Sequence, residues 1–105
     1  MLATNIAIGF GAAAMLHAVA SGHRFGFDIM EATGLTSGTV YPALERLEAR
    51  GLLTSHWEDE GAAHAEGRPA RRYFTLTAAG ATALAGALDR YKALRRIPGF
   101  APKPS

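Results

Sequence analysis

The sequence contains no cysteine. This absence excludes disulfide frameworks, cysteine-containing zinc fingers and thiol catalysis, and it fits a cytoplasmic protein. Charge is also scarce, because charged residues make up 19% of the chain and none of them lies within residues 1–23. The length of 105 residues allows a single domain over residues 1–105, and 49% hydrophobic residues argue against a disordered chain.

The uncharged N-terminal segment could be a signal peptide, a membrane span or a buried helix. No positively charged region precedes its apolar stretch, as it would in a signal peptide. Thr4, Asn5 and His17 interrupt the segment, which is also short for a membrane span. We therefore predict a buried helix over residues 4–20. A helix this apolar needs cover on nearly every side, which in a small domain suggests a partner chain.

Helical periodicity continues in the next part of the chain. A short helix is predicted over residues 26–33, followed by a longer helix over residues 36–50. Val40, Leu44 and Leu47 repeat at helical spacing in the longer helix. The short link GLT between these two helices is typical of a helix-turn-helix.

The second half of the chain shows strand patterns before a last helix. Apolar and polar residues alternate in LLTSHWED and RRYFTLT, which predicts two strands within residues 52–76. The Gly- and Ala-rich segment EGAAHAEGRPA between them is predicted to be a loop. A final helix is predicted over residues 77–97. The order indicates a mainly α fold with a small two-stranded β wing, a winged helix-turn-helix.

Three segments of the sequence resemble the PadR family of bacterial transcriptional regulators. They are GHRFGFDI, SGTVYPALERLEARGLL and GRPARRYFTLTAAG, which resemble the family's second helix, recognition helix, and wing strand with the turn into the last helix. The resemblance covers about residues 6 to 90. It implies a short form with one C-terminal helix, and a homodimer built from the N- and C-terminal helices. The interface residues expected from it are Ile8, Phe10, Met15, Leu84, Leu88 and Tyr91.

The start of the third helix is the first candidate DNA-binding element. Small and hydroxyl-bearing residues follow one another there: Thr36, Ser37, Gly38 and Thr39. Thr36 can cap the helix, and the free N–H groups of its first turn attract phosphate. Tyr41 offers a ring and a hydroxyl on the same side. The alternative is an ordinary capped helix with a solvent-facing tyrosine, which the family resemblance argues against.

The wing supplies the second candidate element through Arg68, Arg71 and Arg72. Arg68 is expected at the wing tip, near the minor groove or its phosphates. Alternation along a strand puts Arg71 and Arg72 on opposite faces, so only one of them is expected to face DNA. The alternative reading is a solvated cluster of charge at a strand edge.

Pro42 lies inside the predicted recognition helix. If the helix begins just after Thr36, Pro42 removes the hydrogen bond to the Gly38 carbonyl. If regular helix begins only after Thr39, Pro42 falls in the first turn, where its missing N–H costs little. In either case Pro42 is predicted to set the DNA-facing start of the helix apart from its buried remainder.

The residues give little support for an enzyme. The four histidines show no metal-ligand spacing, and no catalytic triad or phosphate-binding glycine loop is present. We therefore predict neither a cofactor nor a metal. Trp57 is expected in the core or at an interface. The family resemblance adds a candidate pocket for a small aromatic effector at the dimer interface, to which Phe10, Met15 and Trp57 are expected to contribute.

These features predict a sequence-specific repressor of transcription. It is expected to bind a palindromic operator in double-stranded promoter DNA as a homodimer. Release by a small effector would follow from a change in the spacing of the two recognition helices. Three other interpretations stay open: a MarR-like winged-helix regulator, a winged-helix module that binds protein instead of DNA, and a small ligand-binding or enzymatic domain.

Overall fold

The computed structural model describes residues 7–91. Within this range five helices accompany one antiparallel pair of strands. In chain order the elements are α1 (Phe10–Ala20), α2 (Gly26–Thr33), α3 (Ser37–Ala49), β1 (Leu53–Trp57), α4 (Glu60–Ala65), β2 (Arg72–Leu76) and α5 (Ala78–Arg90). The architecture is mainly helical with a two-stranded wing, which confirms the predicted fold class.

The apolar stripes of the first three helices meet in one core. Leu16 of α1, Ile29 of α2 and Leu44 of α3 are almost completely removed from solvent. Burial of each such side chain contributes about 1.5–3 kcal/mol. Leu52 and Phe74 extend the core under the sheet, so that the three helices and the wing share one apolar interior.

The first helix begins later than its composition predicts. Residues 7–9 are not helical, and α1 starts at Phe10 after Gly9, so the expected bounds of residues 4–20 are wrong at their N-terminal end. Apolar composition did not reveal this start, because Ile8 is buried without being helical. The predicted start of the first helix, residues 4–6, lies outside the described residues, as does the predicted continuation of the last helix from residue 92.

The two strands pair from Leu53 opposite Leu76 to Trp57 opposite Arg72. Phe25, just before α2, adds an isolated bridge to Tyr73. The N–H of Phe74 also donates to the Arg24 carbonyl at 2.7 Å. These bonds attach the outer edge of β2 to the start of α2, which fixes the wing relative to the helix-turn-helix.

The predicted loop between the strands contains helix α4, so that expectation is wrong. Asp59 caps this helix by accepting a 2.9 Å hydrogen bond from the Ala62 N–H. Ala63, in the middle of this helix, is buried. The composition misled us because alanine, which we took as a sign of a loop, has the highest helix propensity of all residues.

The wing leads directly into α5. The Thr77 hydroxyl accepts from the Gly80 N–H at 2.9 Å and donates to the Gly51 carbonyl at 2.7 Å. This cap fixes where α5 leaves the sheet, and α5 then packs alongside α1. Among residues 7–91 no helix has the length and apolar character needed to cross a membrane.

Candidate DNA-binding surface

The first turn of α3 is exposed and uncapped. Thr36 occupies the N-cap position, but its side chain accepts no hydrogen bond from the helix. Its hydroxyl instead faces the Thr39 hydroxyl at 3.4 Å, so the expected side-chain cap by Thr36 is wrong. Within the described part of the chain, the N–H groups of Ser37 and Gly38 have no acceptor. The helix therefore presents free donors beside two hydroxyl groups.

Pro42 is the sixth residue of α3. The Val40 N–H already bonds to the Thr36 carbonyl at 2.8 Å, so regular helix begins directly after Thr36. Of the two alternatives for Pro42, the first applies: the proline removes the bond that would reach the Gly38 carbonyl. The Gly38 carbonyl therefore lacks the helical hydrogen bond that residue 42 would otherwise donate.

Tyr41 is half exposed, and its ring leans against the start of α2. Gly26 is buried beneath it, and a Cβ atom at Gly26 would come within 2.6 Å of the Tyr41 Cζ atom. No other residue type leaves room for the ring in this position. The contact sets the direction of the tyrosine, which therefore depends on a residue fifteen positions earlier in the chain.

Arg72 connects the wing to the recognition helix. Its guanidinium donates to Glu45 at 2.7 Å, to Glu48, and through Nε to Ser55 at 3.0 Å. The bonds to the two glutamates raise the pKa of Arg72, with the bond to Glu45 the largest cause. These carboxylates neutralise Arg72 and join β2 to the outer side of α3.

Arg68 is folded back onto the protein instead of extending from a wing tip. It forms a two-pronged ion pair with Glu58, at 2.6 and 2.8 Å, and contacts Glu66 at 3.2 Å. The bond from Arg68 lowers the pKa of Glu58 from 4.5 to about 2, assisted by the Arg71 backbone N–H. Because its charge is matched by these carboxylates, Arg68 in this conformation is not extended toward a phosphate.

Arg71 differs from its two neighbours. Its guanidinium lies 4.2 Å from the centre of the Phe25 ring, a cation–π contact. No carboxylate forms an ion pair with Arg71 within residues 7–91. Arg71 contacts Phe25 whereas Arg72 contacts α3, and of the two only Arg72 takes part in an ion pair among the described residues.

A cleft, here called the wing cleft, separates the helix-turn-helix from the wing and has a volume of about 450 Å³. Three of the four large hydrophobic side chains exposed among the described residues lie along it: Phe27 (59% exposed), Tyr41 (49%) and Trp57 (66%). Its lining comprises residues 25–27 of the α2 start, Tyr41, Leu44 and Glu45 of α3, and Trp57, residues 68–72 and Phe74 of the wing.

The expected dimer residues divide into two groups. Met15, Leu84 and Ile8 are buried within their own chain, with at most 6% of each exposed. They have almost no surface left to bury against a partner, so assigning them to an interface is corrected here. The three that keep accessible surface are Phe10, Leu88 and Tyr91, with Phe10 and Tyr91 in edge-to-face contact at 5.7 Å.

The expected effector pocket is not formed within one chain. Met15 is buried in the core, Phe10 packs on Tyr91 beside α5, and Trp57 lies on the wing cleft. The physical reason is that these side chains belong to different packing layers, which sequence spacing does not reveal. Across residues 7–91, no group of three acidic or histidine side chains could hold a metal ion.

A helix-turn-helix with an uncapped recognition helix and an adjoining β wing defines a winged helix-turn-helix DNA-binding protein. The chain matches the model of the Transcriptional regulator PadR-like family over residues 15–86. It therefore belongs to this family and is a DNA-binding transcriptional regulator. The family consists of regulators and not of enzymes, which confirms the prediction of a non-enzymatic protein. No curated protein sequence matches the chain.

Solved structures share this fold at low sequence identity. A PadR family regulator from Clostridium difficile R20291 superposes with a TM-score of 0.69 at 22% identity, over 84% of this chain and 93% of that chain. Bacillus subtilis PadR in complex with operator DNA superposes with a TM-score of 0.65 at 24% identity, over 79% of this chain and 50% of that chain. Bordetella bronchiseptica BpsR superposes with a TM-score of 0.66 at 21% identity, over 92% of this chain and 68% of that chain. The DNA binding of BpsR is regulated by 6-hydroxynicotinic acid.

Sequence reasoning missed four residues of this surface. Glu45 and Glu48 were not expected to hold the wing, because their partner Arg72 is 27 and 24 residues away. Gly26 carried no local signal, since its role depends on the Tyr41 ring. Phe27 lies within the predicted second helix, and nothing in the local sequence showed that it is exposed on the wing cleft.

Proposed function

We propose that this protein binds a palindromic promoter operator as a homodimer and represses transcription from it. The observation that carries the proposal is the uncapped start of α3, where Ser37 and Gly38 offer free N–H groups beside hydroxyl side chains. In winged helix-turn-helix proteins, this end of the helix enters the major groove. The base and phosphate contacts we propose come from Thr36, Ser37, Gly38, Thr39 and Tyr41.

The three wing arginines have different roles in this proposal. Arg71 contacts phosphate, because it carries the charge that no carboxylate within residues 7–91 matches. Arg68 and Arg72 remain in their ion pairs and hold the wing in place. They contribute to DNA binding through the position of the wing and not through direct contact.

The homodimer follows from the surface that α1 and α5 leave uncovered. Phe10 is 45% exposed although it is a large apolar residue, and it lies against Tyr91 and near the partly exposed Leu88. Covering these side chains against a second copy removes apolar surface from water. A two-fold axis there presents two recognition helices to successive major grooves, which requires a palindromic operator.

Repression and effector release complete the proposal. A dimer on a promoter blocks access by RNA polymerase, and its site of action is the cytoplasm, where bacterial promoters lie. The fold is shared with BpsR, whose DNA binding responds to 6-hydroxynicotinic acid. We propose that a small aromatic effector likewise lowers the affinity of this protein for its operator.

Selection of binding sites from random double-stranded DNA tests the proposal. We expect enrichment of a palindrome, which a mobility shift then confirms with a dimer–DNA complex. Replacing Ser37 and Thr39 together by alanine should weaken binding to this palindrome about tenfold, since each hydrogen bond contributes about 0.5–1.5 kcal/mol. Thr82→Ala, an exposed hydroxyl on α5, is the matched control and should leave the affinity unchanged.

Two results would contradict the proposal. If selection enriches no sequence and binding is absent at low salt, the fold serves as a protein-binding module. If sedimentation shows a monomer at about micromolar concentration, the proposed homodimer is wrong. The proposal of a palindromic operator, which depends on the dimer, then fails with it. In that case a single copy would read an asymmetric site.

A further inference from the structure

Glu45 is a carboxylate on the side of α3 that carries the proposed DNA contacts. Ser37, Tyr41 and Glu45 follow one another four positions apart, so they lie along one side of the helix. All three are exposed, and Tyr41 and Glu45 both line the wing cleft. Phosphates repel a carboxylate in this place. Glu45 therefore opposes DNA binding unless it also makes a favourable contact with DNA.

The carboxylate of Glu45 is only partly used within the protein. Its Oε2 atom accepts a 2.7 Å hydrogen bond from Arg72, whereas Oε1 accepts none within the described residues, and the side chain is 65% exposed. Glu48 differs, because Arg72 donates to its Oε1, Ser55 donates to its Oε2, and its side chain is only 30% exposed. Glu48 is thus a structural partner of the wing, while Glu45 keeps one acceptor atom for another molecule.

Arg72 restricts the direction in which Glu45 points. The guanidinium also bonds to Glu48 and Ser55, so it is fixed between the wing and α3. A side chain held by such a group loses less conformational freedom when it binds a partner. Because one guanidinium serves two carboxylates, negative charge remains in excess, and Glu45 can still accept from a further donor.

The chemistry of the bases selects the partner of this free acceptor. In the major groove guanine presents two acceptors and thymine one acceptor, all of which repel a carboxylate. Adenine presents its N6 donor next to the N7 acceptor, which is again unfavourable for a carboxylate. Cytosine presents only the donor of its N4 amino group, the usual partner of a glutamate in this groove. The free oxygen of Glu45 therefore matches a cytosine.

We propose that Glu45 is a specificity-determining residue, which accepts a hydrogen bond from the N4 amino group of one cytosine in each half of the operator while Arg72 holds its other oxygen. The inference rests on the proposed function and deepens it. Phosphate contacts position the protein on DNA, whereas this contact would distinguish one base from another. If Glu45 served only to hold Arg72, its loss would change the affinity for all sequences alike.

Binding-site selection with the wild type and with Glu45→Gln tests the inference. The wild type should enrich cytosine at one position of each half-site, and Glu45→Gln should replace it by adenine, whose N6 and N7 atoms pair with a glutamine amide. Preferences at the other positions should be unchanged. In titrations, changing this C·G pair to T·A should cost the wild type about tenfold in affinity per half-site, but Glu45→Gln about threefold or less.

Non-specific DNA provides an independent measurement. Glu45→Gln removes one negative charge per protomer, so affinity for DNA of random sequence should rise about threefold while affinity for the wild-type operator falls. A loss of structure would weaken both. Because Glu45 is 65% exposed, the fold should be retained, and an unchanged thermal midpoint would confirm this.

Glu48→Gln is the matched control, because it also removes a carboxylate that binds Arg72, but one that lies mostly out of contact with solvent. It should keep the preference for cytosine. The inference is overturned if Glu45→Gln retains the wild-type preference, or if Glu48→Gln shifts the preference in the same way. A wild type that enriches no sequence would refute the proposed function and this inference together, whereas an unchanged preference in Glu45→Gln would refute this inference alone.

Discussion

The start of α3 and the wing differ in whether their polar groups have partners within the protein. At the helix start, the N–H groups of Ser37 and Gly38 have no acceptor within the described residues, and no side chain caps them. In the wing, Arg68 and Arg72 are bound by carboxylates on their own chain. Donors are thus left available at one site and matched internally at the other.

This difference shows why the number of basic residues near the wing is a poor guide to the number of DNA contacts. Arg68 and one of Arg71 and Arg72 were expected to contact DNA, but Arg68 and Arg72 join parts of the protein to each other. Partly exposed ion pairs of this kind add little to stability, but they occupy the charges of both arginines. We propose that the polar groups left unpaired contact DNA, and Arg71 is the wing residue that fits this description.

Removal of Arg71 should have the largest effect on DNA binding. Arg71→Gln deletes one phosphate contact per protomer, so a dimer should lose about tenfold or more in affinity, and the slope of log K against log salt should fall by about 2. Arg68→Gln, the matched control in the wing, should change the slope by less than half as much. Equal changes in both variants would remove the distinction between matched and unmatched arginines.

Gly26→Ala should weaken DNA binding through Tyr41. The added methyl group overlaps the Tyr41 ring, which is half exposed and can swing away, so we expect a loss of about 1 kcal/mol or less in folding stability. The displaced ring should lower DNA affinity about fivefold, because the single hydrogen bond proposed for Tyr41 contributes about 0.5–1.5 kcal/mol. Titrations with the selected operator measure this effect.

A double-mutant cycle is the control for this prediction. Tyr41→Ala should cost less DNA affinity in the Gly26→Ala background than in the wild type, because the ring is already displaced there. Strictly additive losses would show that Gly26 acts on DNA binding independently of Tyr41. The contact between α2 and α3 would then have no part in aiming the tyrosine.

The smallest effect concerns the pH dependence of stability. The pKa of Glu58 is lowered to about 2 by Arg68, so the carboxylate stabilises the folded state at pH above its ordinary value of 4.5. This contribution should be lost as the pH falls from about 4.5 to 2. Urea midpoints of the wild type and Glu58→Gln should therefore differ at neutral pH and converge in acid.

Glu60→Gln provides the comparison for the acid experiment. Glu60 is an exposed carboxylate in the first turn of α4 and forms no ion pair within the described residues. Its variant should follow the wild-type midpoint across the pH range. A Glu58→Gln midpoint that stays below the wild type by the same amount at about pH 2 would refute the role of this ion pair.

Local patterns were sufficient for the order of the elements apart from α4. Periodicity located the recognition helix because Val40, Leu44 and Leu47 all face the core. Alternation located both strands, since Phe74 and Leu53 are buried on the sheet face that covers the helices. These features depend on neighbours in the chain, which a single sequence displays directly.

Features that depend on distant pairs were not predictable in the same way. The ion pairs of Arg72 join residues 24 and 27 positions apart, and the close approach of Gly26 involves a tyrosine on another helix. Alanine-rich α4 was missed for a different reason, because composition outweighed the capping signal of Asp59. The paired state of a charge or the need for a glycine becomes visible only once the fold brings the partners together.

Pro42 changes which main-chain groups of the recognition helix are left without a helical hydrogen bond. A helix start ordinarily offers only donors, but here the Gly38 carbonyl also has no helical partner, so donor and acceptor groups of the main chain lie within one turn. Adenine and cytosine present amino groups in the major groove, and such groups need an acceptor. Because both groups belong to the backbone, substitutions at Ser37, Thr39 or Tyr41 leave them in place. We propose that these side chains can therefore vary, and with them the sequence preference, without loss of the main-chain groups.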